Sequence, residues 1–522
     1  MIGPPIPRRR FLQGMAAAGA TAATRKIRPL GDLASLAGSR RPRDERRIVI
    51  VGSGIAGLGC AFRLWRRHGL RSEIYELNSE RAGGRIQTLR GYFAAGQLVE
   101  EHAEFISSEH TETLALAKRF GISLDNVDDY PAGTHPLQYT MRFRGAPWPM
   151  AVLNEEWRDW GWRLFHDAAF VKAPWPATFR HSTRWTRLWD QMSVPEWIES
   201  YVPGGLESDF GRLCIADMLD EFGGPPEQQS ALNLVYTLGM YSSSASGLQP
   251  HRYPQLSGTD EKWHLHGGND LLITGLLDRL PAGTVRLGQG LVALRPRGAS
   301  GFTASLASGA VIRDVQADHV VLALPFTKLR QVDLDDAGLG IPALQRRAID
   351  TEPLGSNAKL FLQFSHRVWN EAHSAGNVYT GEPIQSGWDA TSYQPGAPQG
   401  ILVTLPGGSE AADWGRRYSL ASYSGPAPDA MVRDYLAGWE RVYPGLSSAY
   451  TGRSYFVWSS GDPHLLGAYS YFQQGQYTGF NGIQGERRGN LHFCGEQTSL
   501  NFQGYVEGGL RTGYRVADEI VR

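Results

Sequence analysis

Apolar residues along this chain fall into a few distinct rhythms. Arg47-Ile48-Val49-Ile50-Val51 carries a short, continuous apolar run, the pattern of a strand buried on both faces. Gly52-Ser53-Gly54-Ile55-Ala56-Gly57 follows at once. From Leu58 to His68, Ala61, Leu64 and Trp65 take helical spacing, and Gly69 supplies a stop. Ser72 to Leu77 reads as a second strand. Strand, turn, helix and strand within about 30 residues predict a unit that feeds a parallel sheet.

Farther on the texture changes. Eight of the 15 tryptophans lie between Trp148 and Trp197, mixed with Arg, Asp and Pro, and Phe210 to Leu238 has a helical rhythm. A second, mostly helical region is expected there, in which each tryptophan reads equally as core filler or as a substrate wall. A β-rich segment with turn glycines spans Gly283 to Ala323, and its last strand is stopped by Pro325. A mixed stretch, 331–465, comes next. Gly489 to Arg522 reads as a strand (Leu491-His492-Phe493), a glycine-rich turn and a closing helix. No internal repeat interrupts this order, and no run of about 18 apolar residues predicts a membrane span.

Composition narrows the class. With 42% hydrophobic and 20% charged residues in 522, the chain folds, and it is long enough for two domains. Net charge is zero, but residues 1–43 hold nine basic residues and one acid, Asp32. That leaves 43 basic and 51 acidic residues among the 52 of each sign, so no basic surface for nucleic acid remains. In the leader, Arg8-Arg9-Arg10-Phe11-Leu12 precedes an Ala/Gly-rich stretch, Gly14 to Ala23, and resembles a bacterial twin-arginine export signal. Such a route carries proteins already folded, and the expected location is periplasmic or secreted. Cys60, Cys214 and Cys494 show no metal-like spacing and are expected as buried thiols. His264 and His266 alternate on one strand face, but no third ligand accompanies them, so no metal is expected.

The glycine loop carries the first chemistry. Lying between a buried strand and a helix, Gly52 permits a tight turn, Gly54 lets backbone approach a pyrophosphate, and Gly57 lets helix and strand pack closely. Ser53, Ile55 and Ala56 complete the loop, whose helix N-terminus offers free N–H groups to phosphate. Glu76, 19 residues after Gly57, ends the second strand where a carboxylate can accept from ribose hydroxyls. Spacing alone does not separate FAD from NAD.

The residues that follow Glu76 do: Arg81-Ala82-Gly83-Gly84-Arg85. Here the chain resembles the flavin-containing amine oxidoreductases, the family of monoamine, polyamine and L-amino-acid oxidases. The resemblance continues through Trp263 to Asn269, Ala317 to Pro325, Trp458, Gly467-Ala468-Tyr469, Phe493-Cys494-Gly495-Glu496 and Gly504 to Gly509, covering about residues 46 to 522 and weakest over 130–250.

It implies an α/β fold: a Rossmann-like FAD-binding domain (44–105, 251–330 and 466–522) interleaved with an α+β substrate-binding domain (106–250 and 331–465) whose helical insertion covers about 150–250. It implies FAD held by the loop and Glu76, by Gly83, Gly84 and Arg85, and by Leu291, Gly495, Glu496 and Val506. The closing helix would present free N–H groups to the flavin's pyrimidine edge. Lys359, an isolated cation in the apolar run Asn357 to Leu362, falls where the family has a lysine placed near the flavin through a water and linked to reoxidation by oxygen. Tyr469 and Tyr505 fall where it has two rings flanking the substrate nitrogen.

Two departures matter. Ala468 stands where monoamine oxidases place the cysteine that bonds to flavin, so FAD is expected to be non-covalent. Phe105 falls near the arginine with which many L-amino-acid oxidases hold the substrate carboxylate; Arg142 and Arg144 are alternative anchors. Glu104 reads as a hydrogen-bonded carboxylate near the flavin or as a wall favouring cationic substrates, and His102 replaces a usual glycine. The expected activity is oxidation of an amine C–N bond to an imine, with oxygen or another acceptor reduced. An L-amino-acid oxidase, an FAD enzyme that dehydrogenates C–C bonds (against which Tyr469, Tyr505 and Lys359 argue) and a degenerate, non-enzymatic relative are the alternatives. The implied partners are a small amine or amino acid, the acceptor and the export machinery, and a homodimer is left open.

Overall fold

The computed structural model describes residues 46–127, 138–241, 260–381, 383–394 and 396–522, so the leader with Arg8-Arg9-Arg10 lies outside the described residues. The strand Ile48–Val51 is buried throughout, as a central strand covered on both faces must be. It pairs in parallel with Ser72–Tyr75 on one side and His319–Leu322 on the other. Leu491–Phe493 and Val285–Arg286 form the edges of this five-stranded sheet, and they too pair in parallel. All five strands therefore point their carboxyl ends the same way, and the segments that leave those ends are Gly52–Gly57, Glu76–Asn78, Leu287–Gln289, Ala323–Pro325 and Cys494–Glu496. In an open parallel sheet that rim is where ligands bind.

The first helix starts at Ile55, three residues earlier than the apolar rhythm suggested, because Gly54 has extended backbone and serves as its N-cap. Past Arg63 it continues in a wider π-type turn, Leu64–His68, and stops at Gly69 with φ 70°. The closing helix, Val506–Ile520, lies against it at glycine contacts. A Cβ on Gly513 would sit 2.1 Å from the Ala56 carbonyl, and one on Gly509 would sit 2.8 Å from Ile55. No larger residue permits that approach.

Most of the remaining strands form two antiparallel-rich layers, and two short antiparallel ribbons, Thr88–Leu89 with Val99–Glu100 and Leu124–Asn126 with Trp263–Leu265, complete the set among the described residues. Gly290–Arg297, Gly301–Ser308 and Val311–Ala317 make a meander joined by Asp333–Leu334. An eight-stranded sheet draws its strands from residues 138–148 and 358–458, with Ala358–Phe364 in its interior between Gly400–Thr404 and Tyr450–Trp458. The expected continuous helix over Phe210–Leu238 is two helices, Asp209–Phe222 and Ala231–Tyr241. Gly223 (φ 60°) ends the first and Pro225-Pro226 forbids its continuation. Of the eight clustered tryptophans, Trp157, Trp189 and Trp197 are fully buried core, and Trp175 alone lines the cavity described below. Among the described residues no helix is long and apolar enough to cross a membrane.

Candidate active site

One cavity of about 550 Å³ runs from the carboxyl rim of the parallel sheet to the eight-stranded sheet and the helix Asp209–Phe222. At the rim, Gly52 has φ +101°, and a Cβ there would strike the Ala323 carbonyl at 2.5 Å. A Cβ on Gly57 would fall 2.1 Å from the Gly52 carbonyl, whereas one on Gly54 would meet nothing within 4 Å. The first and third glycines thus close the turn, and the second opens backbone to the cavity. Neither the first helix nor the closing helix has a side-chain N-cap. Their leading N–H groups lie beside the cavity, where Ile55 and Val506 both line it. Two uncapped helix ends in one cleft suit an anionic nucleotide.

The other predicted cradle residues converge. Gly83 and Gly84 have φ +109° and +57°, and the Gly83 N–H donates to the Ser53 carbonyl at 3.0 Å, which docks the arginine loop on the glycine loop. Glu76 lines the cavity, and its carboxylate accepts from Ser53 N at 2.8 Å, Ser53 Oγ at 2.7 Å and Asn78 N at 2.8 Å. Ser53 and Gly57 lie behind the wall; Gly52, Gly54, Ile55, Ala56, Gly83, Gly84, Arg85, Leu291, Gly495, Glu496 and Val506 form it. FAD fits this set: glycine backbone and helix ends for the pyrophosphate, Glu76 for the ribose, and the closing helix for the ring system.

Glu496 is the hub of the far end. Its carboxylate pairs with Arg85 at 2.9 Å and accepts from Ser470 N, Ser470 Oγ and Gly504 N. Ser470 follows Tyr469 and Gly504 precedes Tyr505, so one buried carboxylate fixes the backbone beside both cage tyrosines. The two rings line the cavity, and a Cβ on Gly504 (φ +85°) would sit 3.9 Å from that of Tyr469. The Tyr469 hydroxyl donates to the Asp220 carbonyl at 2.7 Å.

Lys359 is 6% exposed in a strand buried along its whole length. Its ammonium donates to the carbonyls of Glu100 (3.0 Å) and His102 (2.9 Å) and to Glu104 Oε2 (2.6 Å). Three donors meet three acceptors, so none of the buried ammonium's hydrogens is left without a partner. The second oxygen of Glu104 accepts from Trp388 Nε1 at 2.8 Å, so Glu104 is a bonded partner of Lys359 that also lines the cavity. Phe105 packs on Trp388 with ring centroids 5.5 Å apart.

Burial dominates the electrostatics. Desolvation, reinforced by Arg81, Lys359 and Arg85, pushes His102 down to about 3 and keeps it neutral. Desolvation raises the Glu101 carboxyl to about 7 against the pull of Arg81 and Gln87. It raises Asp220 to about 6 against hydrogen bonds from Ser386 and Tyr379.

Several residues here were not foreseen: Asp220, Glu221, Trp388, Phe502 and Gln503 all line the cavity. Asp220 and Glu221 had a readable signal, since two acids end a helix just before Gly223-Gly224, against the helix dipole. Trp388 had none. Arg142 and Arg144 are not among the cavity-lining residues; Arg142 bonds to the Gly145 carbonyl and Arg144 pairs with Asp209. His264 is buried against Glu100 and His266 is exposed, and both approach Asp125, at 4.0 and 3.0 Å, as their alternation on one strand face requires. Among the described residues no group of His, Cys, Asp and Glu could hold a metal, and all three cysteines are buried and free.

Comparison with known proteins agrees with this geometry. The family model for flavin containing amine oxidoreductase matches residues 55–521. A flavin-containing amine oxidase of Danio rerio is 23% identical over 498 residues, 91% of this chain and 85% of its own. An L-glutamate oxidase precursor of Streptomyces diastatochromogenes is 24% identical over 630 residues, 93% of each chain. The solved structure of cyclohexylamine oxidase from Brevibacterium oxydans IH-35A superposes with a TM-score of 0.74 at 20% identity, covering 91% of this chain and 98% of that one. With its cradle and its cage on one cavity, this chain belongs to the flavin-containing amine oxidoreductases and is an FAD-dependent enzyme that oxidises an amine.

Proposed function

We propose that this enzyme is an oxidase for amines that carry no carboxylate beside the reacting nitrogen, with oxygen as acceptor and hydrogen peroxide as product. One observation carries the choice against an amino acid. The basic side chains on the described cavity wall are Arg81, Arg85, Lys328 and Lys359. Arg85 is paired with Glu496 and Lys359 with Glu104. Arg81 and Lys328 are bonded to the Gly84 and Pro463 carbonyls. The cage end instead presents Asp220, Glu221 and Glu261, a wall that attracts ammonium and repels carboxylate.

Bound FAD would supply the electron acceptor for the C–N oxidation. The chain's own residues do the rest. Tyr469 and Tyr505 both line the cavity, and their negative ring faces would receive the incoming ammonium. The low-polarity slot then favours the neutral amine, the form able to give up hydride. The free N–H groups of the closing helix stabilise negative charge gained by the bound group. Ala468 and the absence of any cysteine from the described cavity wall support non-covalent binding.

Anaerobic bleaching of the yellow enzyme tests the reading. Primary amines should bleach it and release peroxide once air is admitted, while L-amino acids should not. Faster bleaching by an L-amino acid than by any amine would sink it and favour the carboxylate-bearing class, to which the Streptomyces relative points. Arg8-Arg9 supports export by the twin-arginine route. Replacing both with lysine should hold the protein in the cytoplasm, and unchanged periplasmic recovery would remove that proposal.

A further inference from the structure

We infer that His110 is a positioning residue that sets the width of the substrate cage, by backing the Tyr505 ring from the side away from the cavity. It thereby selects primary amines over N-alkylated ones. This rests on the cage reading of Tyr505 above and extends it to a residue that does not touch the substrate.

Two helix starts meet beneath the cage. Tyr505 is the N-cap of the closing helix, and His110 is the N-cap of the helix Thr111–Phe120; neither side chain caps its own helix. Glu507, fully buried, crosses from the closing helix and accepts from Glu112 N at 3.0 Å, Thr113 N at 2.8 Å and Thr113 Oγ1 at 2.7 Å. One carboxylate thus serves donors that the shorter helix leaves unpaired, and it locks the two starts together. Arg511 pairs with Glu507 at 2.6 Å and holds it in place.

His110 is fixed within this junction. Its N–H donates to the Ser107 carbonyl at 2.9 Å, and the Ser107 N–H donates to its Nδ1 at 3.1 Å. An acceptor at Nδ1 puts the ring proton of a neutral imidazole on Nε2. Burial, supported by Arg511 and opposed by Glu507 and Asp260, pushes His110 down to about 4, so the ring is neutral near pH 7. Nε2 is buried and has no hydrogen-bond partner among the described residues. The imidazole instead packs at steep angles on two aromatic rings: Phe502 at 5.6 Å and 82°, and Tyr505 at 5.2 Å and 61°.

Tyr505 and Phe502 line the cavity, whereas His110, 1% exposed, does not. Tyr505 therefore has the cavity on one side and His110 on the other. Phe502 is held in turn by the Arg511 guanidinium, 4.5 Å from its ring centroid. A ring backed by fixed neighbours in a close-packed interior has no void into which to retreat. The room at the substrate nitrogen is then set from behind. A primary amine needs little of it, and a rigid wall turns away the extra methyl of an N-methylated one.

Anaerobic flavin reduction and kcat/KM for n-butylamine and N-methylbutylamine test this in the wild type, His110→Asn and His110→Phe, with flavin content and melting temperature measured alongside. Asparagine keeps an oxygen to accept from Ser107 but lacks the far half of the ring. His110→Asn should lower kcat for the primary amine by about tenfold and raise the ratio of N-methyl to primary kcat/KM by about tenfold, because Tyr505 can swing back. His110→Phe restores the bulk and should keep that ratio within about twofold of the wild type. In a Tyr505→Ala background, His110→Asn should change neither quantity further. An unchanged ratio in His110→Asn, a raised one in His110→Phe, or additive losses in the double variant overturn the inference and leave the amine-oxidase reading standing. Should His110→Phe not fold, the other two comparisons decide. Bleaching by neither amine overturns both readings.

Discussion

At the cradle, Gly52, Gly54 and Gly57 act within six residues of one another through backbone conformation and close approach. At the cage end, Glu104, Asp220, Lys359, Trp388, Tyr469 and Tyr505 reach the same cavity from six separate segments, through their side chains. At Gly52 and Gly57 the first construction tolerates almost no substitution, because what it needs there is the absence of a Cβ. The second can be altered one group at a time, because each side chain is held by its own partners. Mutations in the two regions should therefore affect flavin binding and amine turnover separately.

The largest effect should come from the cradle. Gly57→Val forces a branched side chain onto the Gly52 carbonyl, already 2.1 Å from an added Cβ. It should abolish bound flavin, read as the ratio of visible to ultraviolet absorbance, and lower stability by more than about 3 kcal/mol. Retained yellow colour would show that the turn can relax and would weaken the contrast.

Next comes Lys359. Replacing it with methionine removes a cation and strands the 4% exposed Glu104 carboxylate, whose remaining partner is Trp388. A loss of about 3–5 kcal/mol is expected, of which Glu104→Gln on top should recover a large part. Denaturant melts of the two single variants and the double variant measure that coupling; additive losses would mean that the two residues act independently. The same lysine variant tests the oxygen role through the rate of flavin reoxidation. All three Lys359 donors already have protein acceptors, so an unchanged rate would confine it to holding the segment Glu100–Glu104 in place.

This difference in construction also decides what the sequence could reveal. The glycine loop, Glu76, Arg85 and the closing turn were legible because each motif states a local backbone requirement, and local requirements leave fixed spacings. The convergence of Arg85 and Glu496 could be inferred only through family resemblance, since their 2.9 Å contact joins residues 411 apart. The wall was mostly illegible. Trp388 lies in an ordinary strand, Ser386–Asp389, and nothing in its neighbourhood shows that its indole will bond Glu104. The break at Gly223 to Pro226 was written in the chain, yet helical rhythm on either side masked it. Asp220 and Glu221 were visible as a charge placed at the wrong end of a helix, a signal that needs the helix end before it can be read.

A third, smaller effect tests the cage. Tyr505→Ala should lower kcat/KM by about ten- to a hundredfold while flavin content stays near its original level, since Tyr505 serves as N-cap of the closing helix through its backbone and gives that helix no side-chain cap. Parallel loss of flavin and turnover would merge cage and cradle into one unit and remove the distinction drawn above.

The smallest effect lies where the two regions meet, at Glu101. It is 4% exposed and accepts from Gln87 Nε2 at 2.8 Å; desolvation lifts its carboxyl from 4.5 to about 7, with Arg81 and Gln87 opposing. Below pH 4.5 the group is protonated in both folded and unfolded chains, and its site costs nothing. Between 4.5 and about 7 the unfolded chain sheds a proton that the folded chain retains, so stability falls as pH rises, and the loss is complete above the folded value. Glu101→Gln keeps the shape and the Gln87 contact but has no proton to lose. It should leave stability unchanged near pH 4 and raise it by about 2 kcal/mol near pH 8. Melting curves across that range read the difference directly. A constant offset at every pH would mean that Glu101 acts through packing and that the seam between cradle and wall carries no titrating charge.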